Sequence, residues 1–495
     1  MMFEMKTPPE GTVRDWLDAR AKEDSIAFVF PETADHLSWR ELRNIARKMA
    51  QGLAALGIQQ GESVAIVHPN GREGVLALYA TLYGGFRATM INLAAGPDAI
   101  GYALDHCGAQ FAFVHDSQKE AIKGATPSGM KLLTDDLLSN TMELEPLTPD
   151  RHALLMYTSG TTGRPKGVVH THASLLAGGW TTAVAHELTP ADRGFCVLPI
   201  YHINGLCVTV MGALVSGGSL SMVSRFSASK FWEQSAWGEV TWFSVVPTII
   251  SHLLHNGKNP DKATKARLRF GRSASSALAV ETQTAFEERF GVPIIETMGL
   301  TETAAQILSN PLPPGVRKIG SPGIGFGNEV CILTADRQPA ASMVEGEIAV
   351  CGPNVMKEYL HNPGATEEAF FGDWLCTGDL GHSDEDGYIF VTGRLKELII
   401  KGGENIAPRE VDEVLYSQPE IIEAAAFARP CKNYGERVEA AVAITDGADL
   451  TEQDLIQLCI ERLGQFKSPD RVHFMSELPK GPSGKIQRLK LAELL

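Results

Sequence analysis

The chain has 495 residues, of which 44% are hydrophobic and 21% charged. That balance excludes disordered and fibrous classes and, at this length, implies more than one core. Asp and Glu outnumber Lys and Arg by 59 to 44, a net charge of −15, which argues against an extended nucleic-acid partner, since that would need a basic stripe.

The first residues carry no apolar h-region, so no secretory signal is expected. A capping box, Ser38 followed by Glu41, opens a predicted helix over 38–56 with Gly57 just beyond its end. Ser63-Val-Ala-Ile-Val-His reads as a strand, 74–83 as a packed helix and Gln110-Phe-Ala-Phe-Val-His as a second strand. No formally charged side chain occurs between Arg193 and Arg225. The Pro and Gly residues inside that stretch favour a buried helix, a turn and a core strand over a membrane span. Further strands are predicted at 241–246, 268–273 and 292–297, with helices starting near Pro247 and over 279–290. Strands alternating with helices imply parallel sheets with covered faces. From Gly320 to Val391 recurrent Gly, Pro and Asp-Gly turns predict a β-rich subdomain. Near Gly393 the pattern resets to helices at 411–416 and 455–463 and strands at 424–428 and 440–444. The fold class is therefore α/β: a large N-terminal domain of layered α/β subdomains plus a β-rich subdomain (1–393), with a small mobile α+β C-terminal domain (394–495). The eight cysteines form no Cys-x-x-Cys pair, which fits buried thiols in a reducing cytoplasm rather than a zinc cluster.

The strongest chemical signal is Tyr157-Thr-Ser-Gly-Thr-Thr-Gly-Arg-Pro-Lys-Gly167, which follows a predicted strand. Polyphosphate binding needs close backbone N–H groups, hydroxyls and a cation. Gly160, Gly163 and Gly167 allow the approach, Thr158, Ser159, Thr161 and Thr162 bring hydroxyls, and Lys166 brings the charge. A solvated Gly/Ser/Thr loop is the alternative, and the spacing does not fit a Walker A loop. Met298-Gly-Leu-Thr-Glu302, Thr377-Gly-Asp379, Gly393-Arg-Leu-Lys396, Lys401-Gly-Gly403 and Pro479-Lys-Gly-Pro-Ser-Gly-Lys485 follow in that order. Each alone would pass for an ordinary corner, turn or solvated lysine.

Together these motifs resemble, along nearly the whole chain, the adenylate-forming superfamily of acyl-CoA synthetases, luciferase and peptide-synthetase adenylation domains. The resemblance implies an AMP-forming acid–thiol ligase that uses ATP, Mg²⁺ and coenzyme A. It assigns the phosphates to the 158–166 loop, with Thr162 among the catalytic residues. It puts Met298 beside the base, Thr301 near the α-phosphate and Glu302 on magnesium, with Ser275, Glu296 and Thr297 also among the cofactor-binding residues. Here Met298 stands where the family keeps Tyr or Phe. Asp379 and Arg394 would hold the ribose, Lys396 the hinge, and Lys401, Gly402 and Gly403 the pantetheine tunnel after the small domain turns. Lys485 would stabilise charge on the phosphoryl oxygens during adenylation.

The family builds its acyl pocket from three places, corresponding here to His202-Ile-Asn-Gly-Leu206, the Arg272-Ser-Ala-Ser-Ser-Ala277 segment with Ser273, and a helix after Glu302. His202 matches a gating residue. Asn204 and Gln306 are polar where a long-chain enzyme needs an apolar tube. Phe226-Ser-Ala-Ser-Lys-Phe-Trp, Ser273-Ala-Ser-Ser-Ala-Leu and Ser309-Asn-Pro-Leu-Pro-Pro are similar to the oxalyl-CoA synthetase branch, which usually has His at the positions of Asn204 and Ala305. The expected substrate is a small polar or anionic carboxylic acid, sulfoacetate or a short dicarboxylate. Oxalate, a short or medium-chain fatty acid, and loading of a separate carrier protein are the alternatives. A binding protein on an inactive enzyme fold is a further alternative, opposed by the presence of Lys166, Glu302 and Lys485. No nucleic-acid partner or membrane span is expected, and the chain is expected to be a monomer or homodimer.

Overall fold

The computed structural model describes residues 7–133, 137, 142–158, 165–445, 447–481 and 485–495. The predicted capping box forms. Ser38 accepts from Glu41 N and Glu41 accepts from Ser38 N, which opens the helix Trp39–Ala55 and contributes about 1 kcal/mol. Gly57 follows its end in the left-handed region, φ 87°, as a C′ glycine does.

Two large sheets dominate the N-terminal part. In the nine-stranded sheet, Ile294–Leu300, Phe270–Ser273, Trp242–Val245, Arg193–Cys196, Ser219–Met222 and Ile26–Phe30 run parallel side by side. Antiparallel strands close both of its edges. The seven-stranded sheet has a parallel centre of Ser63–Val67, Arg87–Met90, Phe111–Val114 and His152–Thr158, with Lys166–Thr171 antiparallel to the last. Helices Arg72–Gly84 and His172–Ala185 are buried on nearly every side. A helix apolar all round belongs inside a core, and Leu78, Tyr79, Leu82, Leu175 and Leu176 pack in one cluster with Phe28, Ile66 and Met156 from the sheets.

The uncharged 193–225 stretch is a strand, Arg193–Cys196, a wide-turn π-helix, Asn204–Met211, a short helix, Gly212–Ser216, and the strand Ser219–Met222. The buried helix, turn and core strand are as expected, but the strand before them and the π geometry, often found at functional sites, were not visible in the pattern. Among the described residues no helix is long and apolar enough to cross a membrane. A five-stranded antiparallel sheet covers 329–394. The C-terminal domain has its own five-stranded sheet, led by the long hairpin Ile421–Cys431 and Gly435–Ile444, under helices Pro408–Tyr416 and Glu452–Lys467. The chain crosses between these two sheets from Arg394 to Ile399.

Candidate active site

The parallel strands of the large sheet end together, and open α/β sheets bind ligands beyond those carboxyl ends. The loop after Phe270–Ser273 and residues Glu296 to Gly299 of the strand Ile294–Leu300 form one wall of a cleft. Ser275, Glu296, Thr297 and Met298 line it from the large domain. Asp379 and Arg394 line it from the β-rich sheet, and Arg409, Lys485 and Arg488 from the C-terminal domain.

The Thr-Glu corner is not followed by a helix, which corrects that expectation. Thr301–Thr303 makes one 3-10 turn, and Ala305–Ser309 then returns as a strand antiparallel to Ile294–Leu300. The reversal is sharp enough to force Ala304 and Ala305 to φ 45° and 86°, costly values for residues with a Cβ. Gly299 is required there, because a Cβ would lie 1.5 Å from Ala305 O. Asn354, fully buried, holds the reversal by donating from Nδ2 to Thr303 O at 2.6 Å and Gln306 O at 3.1 Å. Its contribution was missed from sequence, where it is one more Asn in a turn-rich stretch.

The corner presents different groups on its two sides. Glu302 accepts from Tyr359 Oη at 2.8 Å. Lys166 Nζ lies over the same tyrosine ring, 4.4 Å from its centre. Thr158 and Lys166 are direct partners across antiparallel strands; Ser159, Gly160, Thr161, Thr162 and Gly163 between them lie outside the described residues. Thr301 O is 2.7 Å from His170 Nε2, a ring that burial keeps neutral by lowering its pKa to about 4.

Asp379 and Arg394 face each other across paired strands and form a bidentate ion pair, 2.7 Å at Nε and 3.1 Å at Nη2. Burial works to lower the Arg394 pKa, but Asp379, with Glu397 and Glu302, outweighs it and raises the value. Lys485 projects toward this pair. Burial, aided by Arg394, lowers its pKa, while Glu397 and Asp379 oppose the shift. Glu296 is 2% exposed. Leu278 N donates to its Oε1 at 3.2 Å, whereas Oε2 has no hydrogen-bond partner. Burial raises this carboxyl to about 7, against the pull of Arg409.

Behind Ser275, which adopts φ 77°, lies a buried polar network. Asn204 Nδ2 donates to Ser275 Oγ at 3.3 Å. Asn204 Oδ1 accepts from Arg272 Nη1 at 2.9 Å and Ser244 Oγ at 3.1 Å. Gln306 Oε1 is 3.2 Å from both Arg272 Nε and His186 Nε2. Arg272 is 1% exposed, and burial lowers its pKa to about 9. Among the described residues no carboxylate pairs with it. Arg272 opens the 272–277 segment expected to build the acyl pocket, but it was given no role from the sequence although the signal was there: a lone charge inside the strand Phe270–Ser273. Ala305 and Ser273 are buried beside this network. His202 precedes the π-helix, donating from its backbone N to Pro199 O at 3.1 Å.

The Lys401-Gly-Gly403 turn does not reach the cleft. Lys401 Nζ donates to Phe466 O at 2.9 Å within the C-terminal domain, and Gly402 and Gly403 cap the hairpin at φ 61° and 88°. Lys396 is exposed in the crossing segment.

Residues 16–360 match the AMP-binding enzyme family, and residues 410–485 match the AMP-binding enzyme C-terminal domain. A sulfoacetate–CoA ligase from Cupriavidus necator is 43% identical, with 98% of this chain and 99% of that protein covered. An oxalate–CoA ligase from Arabidopsis thaliana is 34% identical over 98% of this chain and 97% of its own length. The crystal structure of ATP-bound MatB from Rhodopseudomonas palustris superposes with a TM-score of 0.90 at 28% identity, covering 98% of this chain and 99% of that one. With both domains matched and relatives of this similarity along its length, the chain belongs to the AMP-binding enzyme family and is an enzyme of the acid–thiol ligase class.

Proposed function

We propose that the protein activates a small acid carrying a second anionic group, sulfoacetate foremost, as its adenylate and transfers the acyl group to coenzyme A. The observation that carries the choice of acid is Arg272. A guanidinium buried among neutral amides and hydroxyls is costly unless an anion arrives to pair with it. Its Nε and Nη1 are held by Gln306, Asn204 and Ser244, while Nη2 carries no hydrogen bond among the described residues. A sulfonate or carboxylate tail supplies that partner; an alkyl tail leaves the charge unpaired.

In this reading the base lies against Met298 and Glu296, and the ribose hydroxyls donate to Asp379, whose carboxylate is oriented by Arg394. The polyphosphate runs toward Lys166 and the 158–164 segment. Glu302 suits Mg²⁺: one oxygen is oriented by Tyr359, and among the described residues the other accepts no hydrogen bond and no cluster of three or more His, Cys, Asp or Glu side chains competes for the ion. Mg²⁺ is commonly held by one or two carboxylates with phosphates and water completing the shell. When bound it supplies charge neutralisation on the phosphates. A carboxylate oxygen of the acid attacks the α-phosphorus, a P–O bond forms and pyrophosphate leaves with its electron pair. Lys485 stabilises the charge that builds on the phosphoryl oxygens. The CoA thiolate then attacks the acyl carbonyl and AMP leaves. In this reading the small domain turns between the two steps, because Lys401, Gly402 and Gly403 do not line the cleft.

The test is a panel of sulfoacetate, malonate, oxalate, acetate and hexanoate, read as CoA-dependent AMP release. Sulfoacetate or malonate should give the highest kcat/KM. A wide margin for hexanoate overturns the anionic-acid reading, and AMP release with a carrier protein but not with CoA overturns the acceptor.

A further inference from the structure

We infer that Glu423 is a positioning residue for adenylate formation, fixing the reach of Lys485 by anchoring the hairpin that carries it. This rests on the role given to Lys485 above. Glu423 lies in the strand Ile421–Cys431 and is 2% exposed. A carboxylate that deeply buried needs a counter-charge and donors. Lys480 Nζ lies 2.6 Å from Oε1, an ion pair out of hydrogen-bond alignment, and Leu478 N donates to Oε2 at 3.0 Å.

Both partners stand at the N-terminal foot of the Lys485 hairpin. Lys480 bridges to Ile486, Gly481 N donates to Lys485 O at 2.7 Å, and Gln487 N donates to Pro479 O at 2.8 Å. The C-terminal foot has its own anchor, Arg488, which pairs with Asp412 and donates to Ala426 O at 2.8 Å. Lys485 therefore projects from between two ionic anchors, Glu423 on the strand Ile421–Cys431 and Asp412 on the helix Pro408–Tyr416. Glu423 also sits where the large domain meets that sheet. His252 Nε2 is 3.9 Å from its Oε1, and the neighbouring Ser251 Oγ donates to Ile422 O at 2.8 Å. These residues belong to the helix Pro247–Asn256, whose first residues Pro247 and Thr248 line the cleft. A single carboxylate thus ties the lysine hairpin to the strand that docks on the opposite wall.

Removing its charge leaves Lys480 paired only with the exposed Glu477, 2.6 Å away, and releases one foot of the hairpin. A displacement of about 1 Å at a reacting group costs on the order of 10²-fold. Glu423→Gln should therefore slow pyrophosphate-forming adenylation by roughly 10–100-fold at saturating ATP and sulfoacetate. Its KM values, and thioester formation from supplied sulfoacetyl-AMP and CoA, should stay within about twofold of wild type. A merely structural role would depress both half-reactions together. Lys480→Met removes the same ion pair from its less buried end, should give the same split, and decides the matter if Glu423→Gln does not fold. Lys485→Ala is measured alongside. If it retains adenylation, the role of Lys485 itself fails. If it loses adenylation while Glu423→Gln and Lys480→Met leave both half-reactions unchanged, or slow both equally, the positioning role of Glu423 is overturned.

Discussion

The residues proposed to hold the nucleotide and those proposed to receive the acid treat charge in opposite ways. On the proposed nucleotide side, Asp379 pairs with Arg394, Glu302 accepts from Tyr359 and Lys166 lies over the same ring. In the network proposed to receive the acid, Arg272 is sealed among Asn204, Ser244 and Gln306, with no carboxylate paired to it among the described residues. A paired site tolerates being empty and can release its product. An unpaired buried cation is stable only by virtue of its neutral hydrogen bonds, so it gains most from an anionic ligand and discriminates most sharply against an apolar one. In the proposed function, selectivity for the acid and chemistry on the nucleotide are thus separable, and the largest effects should respect that division.

Lys485→Ala should give the largest loss, about 10²–10³-fold in adenylate formation, the size expected for removing one charge stabiliser of a transition state. Thioester formation from supplied adenylate should persist, and a loss of both halves would place Lys485 outside the phosphoryl chemistry. Arg272→Met should act on the acid side. Losing the partner of a buried charge is worth about 2–5 kcal/mol, so kcat/KM for sulfoacetate should fall at least about 30-fold while that for acetate changes little. Equal losses for the two acids would erase the distinction between the two sides.

How far the sequence reached follows the same line. Local structure was legible: the Ser38–Glu41 box and the Pro247 helix start act through neighbours close in the chain. Most of the strand and helix pattern was legible for the same reason. The reversal at Ala304 and Ala305 was not, because two alanines carry no sign of positive φ and the clamp that enforces it, Asn354, is distant in sequence. Arg272 was visible as a residue but not as a function. Its meaning depends on which side chains meet it, and Ser244, Asn204 and Gln306 come from three separate elements.

Glu296 offers a way to sharpen the comparison through stability. Burial raises its folded pKa from 4.5 to about 7. The raised value means the protonated form is favoured by folding. Its contribution is fully present below the unfolded pKa near 4.5 and is lost as pH rises through about 7. A shift of that size corresponds to about 3 kcal/mol once the carboxyl is ionised. Glu296→Gln should therefore match wild type in urea denaturation at pH 4.5 and exceed it by up to about 3 kcal/mol at pH 8.5. A constant difference across that range would mean that Glu296 is ionised in the folded protein throughout.

Met298 should give the smallest effect. It lies at the cleft wall where the family keeps an aromatic ring, and it is only half-buried. A thioether covers a purine face by dispersion but imposes little geometry. An aromatic ring gains about 0.5–1.5 kcal/mol from stacking beyond its area. Met298→Tyr should therefore lower the KM for ATP by roughly 2–10-fold. Because Arg272 is held by the separate network behind Ser275, the ratio of kcat/KM for sulfoacetate over acetate should not move. A change in that ratio with Met298→Tyr would show that the base and the acid are read by one coupled surface, and would break the division between the two sides at its weakest point.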